Sequence, residues 1–285
     1  MHSTKRRTPQ TTGHRPLTAG HSGGVAAIIP AAGAGRRVGG TSGKLWLPLR
    51  GLPLILHTLR VLQKSPAVRW IILVVRPDDR RRMQRLVRRH RITKALPLCL
   101  GGASRAESVA RGFTAVPPEA GWVLVHDGAR PCLTRRLVDQ TVRAARRHGA
   151  VVCGLPASLT VKAVDEQSQV RVTLDRDHLW FVQTPQVFRR EWFAEALTRA
   201  DGTLECYPDD AAVVEAAGFP VWMIPGDPLN IKVTTKDDLL LAGAILAARG
   251  LRPKAEGRKP VTRKQRAVSA SGLRPPANGN RVVWP

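Results

Sequence analysis

The stretch VAAIIPAAGAGRRVGG, residues 25–40, decides how the rest of the chain is interpreted. Residues 25–29 form a short apolar run that predicts a buried strand. This run leads directly into a loop of glycine and alanine that ends in Arg36 and Arg37. A strand followed by such a loop is typical of α/β domains that bind nucleotides, and two known loop patterns can be compared with it.

Neither of those two patterns fits. A dinucleotide-binding loop needs GxGxxG and an acidic residue about 20 residues later, but Val38 stands at the third glycine position and residues 1–77 contain no Asp or Glu. A P-loop needs GxxxxGK followed by Ser or Thr. Gly43 and Lys44 are present, but Val38 occupies the first glycine position and Leu45 follows the lysine.

The loop still combines small residues with three cations, Arg36, Arg37 and Lys44, and no competing acid. Small residues let backbone N–H groups approach phosphate oxygens, and guanidinium and ammonium groups match phosphate charge. One interpretation is therefore a triphosphate site at the carboxyl end of the first strand. The other is a tight turn from strand to helix with solvated arginines, and this segment alone leaves both open.

Apolar runs alternate with helical spacing along the remaining chain, which favours a mostly parallel sheet with helices on both faces. Strands are predicted at 70–75, 96–100, 122–125, 151–153 and 221–224. Helices are predicted at 54–62, 105–116, 134–147, 209–217 and 235–248, with Thr134 as an N-cap, and an arginine-rich helix lies within 76–91. The fold class is thus α/β, with one domain over about 25–250.

The alternation of strands and helices breaks at Pro156. Residues 159–174, LTVKAVDEQSQVRVTL, alternate apolar and polar side chains around a DEQS turn. This pattern predicts an antiparallel β-hairpin, and we define residues 156–175 as the arm. A two-stranded ribbon is marginally stable alone in water, so we expect the arm to pack against something, such as a second subunit.

The net charge of +25 is unevenly distributed along the 285 residues. Residues 1–24 contribute four basic residues and no acid, and residues 251–285 contribute nine basic residues and Glu256. Both segments have the composition of disordered basic tails, which leaves +13 on residues 25–250. An arginine-biased composition with solvated faces explains this charge; the alternative, contact of the tails with nucleic acid, is not expected.

The cysteines Cys99, Cys132, Cys153 and Cys206 are widely spaced, with no CxxC pair. Neither a zinc site nor a disulfide framework is indicated, so we expect reduced thiols and a cytoplasmic location. No run of about 18 apolar residues occurs, and we expect no contact with a membrane.

The segment VLVHDGARP, residues 123–131, places Asp127 just after a predicted strand. A carboxylate there can hold Mg²⁺ that also touches nucleotide phosphates. Arg130, three residues later, could pair with an anionic substrate. The alternatives for Asp127 are a helix cap or a contact with ribose, and we expect His126 to pack beside the strand.

Five motifs occur in order: PAAGAGRR…GK, GG..R..S (Gly101, Gly102, Arg105, Ser108), VLVHDGARP, LDRDHLWFVQTPQ and DPLNIKVTTKDDL. Together they resemble the 2-C-methyl-D-erythritol 4-phosphate cytidylyltransferases of non-mevalonate isoprenoid synthesis, over about residues 25–248. The resemblance implies a Rossmann-like sheet of the nucleotidyltransferase type and a homodimer in which the arms are exchanged. It also implies CTP and a polyol phosphate as substrates, with Mg²⁺ as cofactor.

The resemblance further implies a role for individual residues. The implied catalytic residues are Arg37, Lys44, Arg176 and Lys232. The implied nucleotide-binding residues are Ala31, Ala32, Gly33, Gly35, Gly102, Ser108, Asp127 and Gly128. The implied substrate-binding residues are Arg130, Thr160, Arg176 and Lys232, some reaching across the dimer, and Asp127 is the implied metal ligand.

The chain departs from the family pattern at several positions. The family usually reads PKQY where residues 43–46 are GKLW, Asp where Ala103 stands, an Asp–Thr pair at Leu159 and Thr160, and Thr at Pro208. These changes motivate two alternatives: a cytidylyltransferase for another polyol phosphate, such as ribitol 5-phosphate, and a catalytically degenerate paralogue that binds nucleotide or nucleic acid.

Overall fold

The computed structural model of the chain describes residues 23–33 and 43–251. The strands of this part are β1 (Gly24–Ala31), β2 (Pro48–Leu49), β3 (Leu52–Pro53), β4 (Val68–Val75), β5 (Cys99–Leu100), β6 (Ala120–Val125), β7 (Ala150–Pro156), β8 (Val161–Val164), β9 (Val170–Leu174), β10 (Trp180–Arg189) and β11 (Trp222–Pro225). The helices are α1 (Leu54–Lys64), α2 (Arg80–Arg89), α3 (Arg105–Thr114), α4 (Arg135–His148), α5 (Arg190–Arg199), α6 (Asp210–Ala216) and α7 (Lys236–Leu251).

Seven of these strands form one sheet in the order β11-β7-β10-β6-β1-β4-β5. Neighbouring strands are parallel except β10, which is antiparallel to both β6 and β7. The predicted α/β class with a mostly parallel sheet is therefore confirmed. From β1 the chain builds first to one side, through β4 and β5, and then to the other side, through β6. The switch between β1 and β6 is where open α/β sheets bind ligands.

The two faces of the sheet each carry a hydrophobic core. Alternate residues of β1 enter opposite cores: Val25, Ala27 and Ile29 on one side, Ala26 and Ile28 on the other. The first core also contains residues of α1, α2, α4 and α7, and the second contains residues of α3, α5 and α6. Burial on both faces explains why β1 and β4 read as continuous apolar runs.

Helix α4 begins as the sequence predicts. The Thr134 hydroxyl accepts a hydrogen bond of 3.2 Å from the Leu137 N–H, so Thr134 is the N-cap. At the other end Gly149 has a φ of 89°, a conformation that favours glycine and ends the helix.

The sequence patterns predicted no element at β10 or α5, and this was wrong. Polar residues in the middle of β10 hide the strand: Gln183, Thr184 and Gln186 are all buried. They are tolerated there because each is hydrogen bonded; the Gln186 side chain, for example, donates to Asp209 Oδ2 at 2.8 Å and accepts from the Ala211 N–H at 3.1 Å. Helix α5 follows β10 with no intervening residue, so no turn residues announce it.

The arm contains the predicted hairpin: β8 and β9 pair with each other in a separate two-stranded sheet. Its apolar side chains Val164, Val170 and Val172 are about half exposed. The chain divides by its contacts into a first unit that ends at Leu246 and a second that starts at Ala247. The predicted tails, apart from residues 23, 24 and 251, lie outside the described residues, so the domain limits of 25 and 250 stay a prediction.

All four cysteines are free. In the described part of the chain, no helix is both long enough and apolar enough to cross a membrane.

Candidate active site

A cavity of about 190 Å³ opens at the carboxyl edge of the sheet, at the switch between β1 and β6. We call it the first cavity. Its walls come from the loops after β1, before α3, after β6 and before α7, and from Lys44 and Leu45 ahead of β2. Its lining includes the predicted nucleotide-binding residues Ala32, Gly33, Gly102, Ser108, Asp127 and Gly128, and the predicted catalytic residues Lys44 and Lys232.

The loop before α3 is held by a short chain of hydrogen bonds. Ser104 is the N-cap of α3 and accepts from the Glu107 N–H at 3.0 Å. The buried Ser108 hydroxyl donates to the Ser104 carbonyl at 2.9 Å and accepts from the Gly102 N–H at 3.1 Å. Ser108 thus fixes the path of Gly102, which the sequence placed beside it at the nucleotide.

Gly101 allows the loop before α3 to lie against the loop after β1. A Cβ atom at position 101 would be only 2.3 Å from the Cβ of Ala32 and 2.9 Å from the Ser108 hydroxyl. Ala31, the last residue of β1 and also predicted to bind the nucleotide, is buried and lines neither the first cavity nor the larger one described below. The glycine therefore brings two of the predicted nucleotide-binding segments together.

Asp127 lies two residues beyond the end of β6 and is surrounded by cations. Its Oδ1 accepts from Arg105 Nε at 3.1 Å, while its Oδ2 lies 2.9 Å from Lys232 Nζ and 3.6 Å from Arg130 Nε. Burial alone would raise the pKa of Asp127, but Arg105 and Lys232 outweigh it and hold the pKa well below its usual range. Asp127 is therefore an ionised carboxylate. It does not cap a helix, since Thr134 caps the next one.

Arg105 is the principal site residue to which the sequence analysis gave no role. Its Nη2 also donates to Oδ2 of Asp210, at 2.9 Å, so one guanidinium joins two buried carboxylates. Burial opposes the charge of Arg105, but Asp210 and Asp127 together raise its pKa above the ordinary value. Burial raises the pKa of Asp210. Two features of the sequence could have indicated this role: an arginine shortly after Gly101 and Gly102, and the acidic pair Asp209 and Asp210 at the start of α6.

The two predicted lysines converge on the loop before α7. Lys44 Nζ donates to the carbonyl of Val233 at 3.1 Å, and Lys232 Nζ reaches Asp127 from the adjacent position. The Val233 N–H in turn donates to the Ala129 carbonyl at 2.9 Å, which fixes this loop to the one after β6. Residues far apart in the sequence thus place two ammonium groups at the same cavity.

A second cavity, of about 460 Å³, adjoins the same cluster of charges. It shares Arg105, Asp127 and Lys232 with the first cavity. Its other lining residues include Arg130, Gln183, Thr184, Gln186, Pro208 and Asp209. The three shared residues therefore form a charged wall between two adjoining cavities.

His126 and Thr184 support this wall. The Thr184 hydroxyl lies 2.9 Å from His126 Nδ1 and accepts from the Asp127 N–H at 3.1 Å. Complete burial lowers the pKa of His126 to about 3, so the imidazole is neutral at physiological pH. As expected from the sequence, His126 packs beside the strand, and Thr184, which it contacts, holds the backbone of Asp127.

The structure does not bring every predicted residue to the two cavities. Thr160 and Arg176 are exposed residues of the arm region, and neither lines the first or the second cavity; Arg176 Nη1 donates to the Ser158 carbonyl at 2.8 Å. Arg37 and Gly35 lie outside the described residues. The roles given to all of these residues stay predictions.

The fold and the site together define an α/β nucleotidyltransferase, in which a Rossmann-like sheet presents cations and one carboxylate at its switch point. Residues 25–248 match the family model described as 2-C-methyl-D-erythritol 4-phosphate cytidylyltransferase. The chain belongs to this family, which confirms the resemblance seen in the sequence.

Curated relatives bear the same description. The one from Syntrophus aciditrophicus is 39% identical over 223 residues, which cover 78% of this chain and 95% of the relative. The one from Pelotomaculum thermopropionicum is 40% identical over 226 residues, which cover 79% and 95%.

Solved structures agree with the sequence relatives. The 4-diphosphocytidyl-2C-methyl-D-erythritol synthase of Anaerococcus prevotii has a TM-score of 0.70 at 29% identity, and 2-C-methyl-D-erythritol 4-phosphate cytidylyltransferase of Thermus thermophilus has 0.64 at 31% identity. Each match covers 79% of this chain and 99% of the other.

Proposed function

We propose that this chain transfers the cytidylyl group of CTP to 2-C-methyl-D-erythritol 4-phosphate and releases pyrophosphate, a step of isoprenoid precursor synthesis. Membership of the family supports the reaction. The observation that carries the site assignment is the charged wall of Arg105, Asp127 and Lys232, which is shared by two cavities. A reaction between two phosphorylated substrates requires two adjoining spaces of this kind.

The chemistry makes clear why cations dominate the site. An oxygen of the acceptor phosphate attacks the α-phosphorus of CTP, a new P–O bond forms, and the bond to the bridging oxygen of the β-phosphate breaks. Pyrophosphate leaves with that electron pair. The attacking phosphate is already ionised at neutral pH, so no general base is required. Its charge repels the triphosphate, and fixed cations must offset this repulsion and stabilise the transition state.

We assign CTP to the first cavity. Lys44 and Lys232 line it, and the loops carrying Ala32, Gly33 and Gly102 offer backbone groups for close contact with the nucleotide. Arg37, outside the described residues, is proposed to act with Lys44 on the triphosphate.

We assign the acceptor to the second cavity. Arg130 lines it, with the guanidinium fixed by a 2.8 Å bond from Nη1 to the Asn230 carbonyl. Lys232 faces both cavities and is proposed to contact both substrates.

Mg²⁺ is proposed as the cofactor, and the residues fit it. Within residues 23–33 and 43–251, no group of three or more His, Cys, Asp or Glu side chains is placed to hold a metal ion. Asp127 is, however, an ionised carboxylate on the first cavity, and Mg²⁺ is commonly bound by one or two carboxylates together with substrate phosphates. Asp127 would hold the ion there. When bound, Mg²⁺ would neutralise part of the phosphate charge.

A homodimer formed through the arm is also proposed. The arm exposes apolar side chains on β8 and β9; Thr160 lies in the arm and Arg176 directly follows it, and neither lines a cavity of its own chain. These two side chains are proposed to enter the second cavity of the partner subunit. The free cysteines are in keeping with the predicted cytoplasmic location.

A pyrophosphate-release assay tests the function. CTP is compared with ATP, GTP and UTP, and methylerythritol phosphate with ribitol 5-phosphate, in the presence of Mg²⁺. We expect CTP and methylerythritol phosphate to give the highest kcat/KM. Because Pro208 lines the second cavity where the family has Thr, a preference for ribitol 5-phosphate is the specific alternative. No release with any pair would identify a degenerate paralogue.

A further inference from the structure

Helix α2 borders a groove that the proposed reaction does not use. The groove has a volume of about 660 Å³. We define it as the α2 groove, lined by Trp46, Arg82, Arg85, Arg88, Arg89 and His90 among others. None of these residues lines the first or the second cavity.

The start of α2 is electrostatically unfavourable on its own. Its first turn contains Arg80, Arg81 and Arg82 and no acid, although a helix N-terminus favours negative charge. Asp79 precedes the helix but makes no side-chain cap; its carboxylate pairs instead with Arg76, at 2.8 Å from Nη2 and 2.9 Å from Nε. Arginines three and four residues apart along the helix also repel one another.

The arginines of the groove have no carboxylate partner in the described part of the chain. Arg82, Arg85, Arg88 and Arg89 form no ion pair there, in contrast to Arg105 and Arg111 on α3, which both do. Four arginines that line one concave space therefore leave a strong positive potential to be balanced by a bound anion.

Trp46 arranges one of these groups for binding. The guanidinium carbon of Arg82 lies 4.2 Å from the centroid of the Trp46 ring. The tryptophan is buried, with 7% of its surface exposed, so it provides a fixed surface under the exposed Arg82 side chain. A guanidinium stacked on an aromatic ring keeps its planar set of N–H donors available for phosphate oxygens.

We propose that the α2 groove is a binding site for a compact polyphosphate anion, such as a di- or triphosphate group. Its volume lies in the range of small-ligand pockets, roughly 300–1,000 Å³. The charge surrounds one concave space, and this favours a compact anion over an extended strand. The proposal is independent of the proposed function, because the groove shares no residue with either cavity.

The test is isothermal titration calorimetry of the full chain with inorganic triphosphate. The double variant R85A/R89A should weaken the groove component by about tenfold or more, since each lost guanidinium removes a charge-assisted hydrogen bond. The control R143A/R147A removes the same charge from exposed positions of α4 and should leave binding unchanged. Lys44→Ala identifies any component from the first cavity, because it should weaken that one alone.

Three results would overturn the proposal. One is equal weakening by both double variants, which would indicate general attraction to a basic surface. Another is unchanged binding in R85A/R89A. The third is a result in which R85A/R89A weakens binding of a single-stranded oligonucleotide but does not weaken binding of triphosphate. That result would assign the groove to nucleic acid. Circular dichroism checks the fold, and R85Q/R89Q replaces the alanine variant if that variant unfolds.

Discussion

Nη2 of Arg105 lies 2.9 Å from Oδ2 of Asp210, a residue 105 positions later in the chain. The same guanidinium reaches Asp127 through Nε, so α3, α6 and the loop after β6 are joined at one side chain. This bridge stands between the two cavities, and it sets the position of the carboxylate assigned to the metal.

Arg105→Lys should lower kcat/KM by about tenfold to a hundredfold, the usual cost of losing a partner that orients a site group. A lysine keeps the charge but lacks the planar fork that bonds two carboxylates at once. Steady-state pyrophosphate release measures the loss. Arg143→Lys, at an exposed position of α4 away from both cavities, is the control for an arginine-to-lysine change. Equal kinetics in the two variants would contradict a positioning role for Arg105.

Lys44→Ala should reduce kcat by about 10²–10³-fold, the magnitude expected when one fixed donor to the transition state is lost. Circular dichroism should show a folded variant, since Lys44 lines the first cavity and belongs to neither hydrophobic core. Lys64→Ala, at an exposed position of α1, provides the control for loss of charge. Near-normal turnover of the Lys44 variant would remove that residue from the proposed mechanism.

Asp238 provides a pH-dependent contribution to stability. Its Oδ2 accepts hydrogen bonds from the Thr234 N–H and hydroxyl, both at 2.7 Å, and from the Thr235 N–H at 2.8 Å. The Thr234 hydroxyl is the main cause that lowers the pKa of Asp238 to about 2, against a little burial. A carboxyl with a lowered pKa stabilises the fold above its unfolded pKa, about 3.9, and this contribution is lost as pH falls through the folded value.

Asp238→Asn should therefore lower the melting temperature at pH 7, and the difference from the unmodified chain should shrink between about pH 4 and pH 2. Thermal unfolding followed by circular dichroism at several pH values measures this. Asp237→Asn, at the neighbouring exposed position, is the control. A difference that stays constant down to pH 2 would show that Asp238 acts by shape and not by charge.

Val172→Asp should prevent dimer formation. Val172 and Leu174 lie on one side of β9, where they pair with Ala163 and Val161 of β8. A charge on this apolar side should make association unfavourable. Light scattering after size exclusion gives the mass. Thr173→Asp changes the opposite side of the same strand and should leave the dimer intact. A monomeric unmodified chain would overturn the dimer proposal itself.

Arg176→Ala should raise the KM for the acceptor by about tenfold or more, as expected for loss of a hydrogen bond to a charged group, and leave the KM for CTP unchanged. Arg171→Ala is the control within the arm, since Arg171 pairs with Asp165 of the same hairpin. If both variants alter both KM values alike, Arg176 supports the arm and does not bind the acceptor.

Sequence patterns were sufficient for the elements whose residues follow one period. The buried strands β1, β4 and β6 and the hairpin of the arm are examples, and so is the cap at Thr134. Strand β10 was missed because its buried centre consists of glutamine, threonine and proline, which are acceptable only once Asp209 and the loops of the site supply their hydrogen bonds.

The same limit applies to the site. Asp127 could be predicted, because the nine residues 123–131 alone show a carboxylate directly after a buried strand, a position typical of a ligand-binding site. The role of Arg105 could not, because it depends on two carboxylates that only the folded chain brings within hydrogen-bonding distance.

The reversed direction of β10 ties the arm to the second cavity. The arm leaves the sheet at the end of β7 and re-enters it at Trp180, which pairs with Pro156. Val152 of β7 and Val182 of β10 both line the second cavity. The hairpin thus connects two neighbouring strands, β7 and β10, that both contribute to the wall of the second cavity. We therefore expect a substitution that alters the proposed docking of the arm to change the second cavity through both strands, so that acceptor choice and subunit association change together.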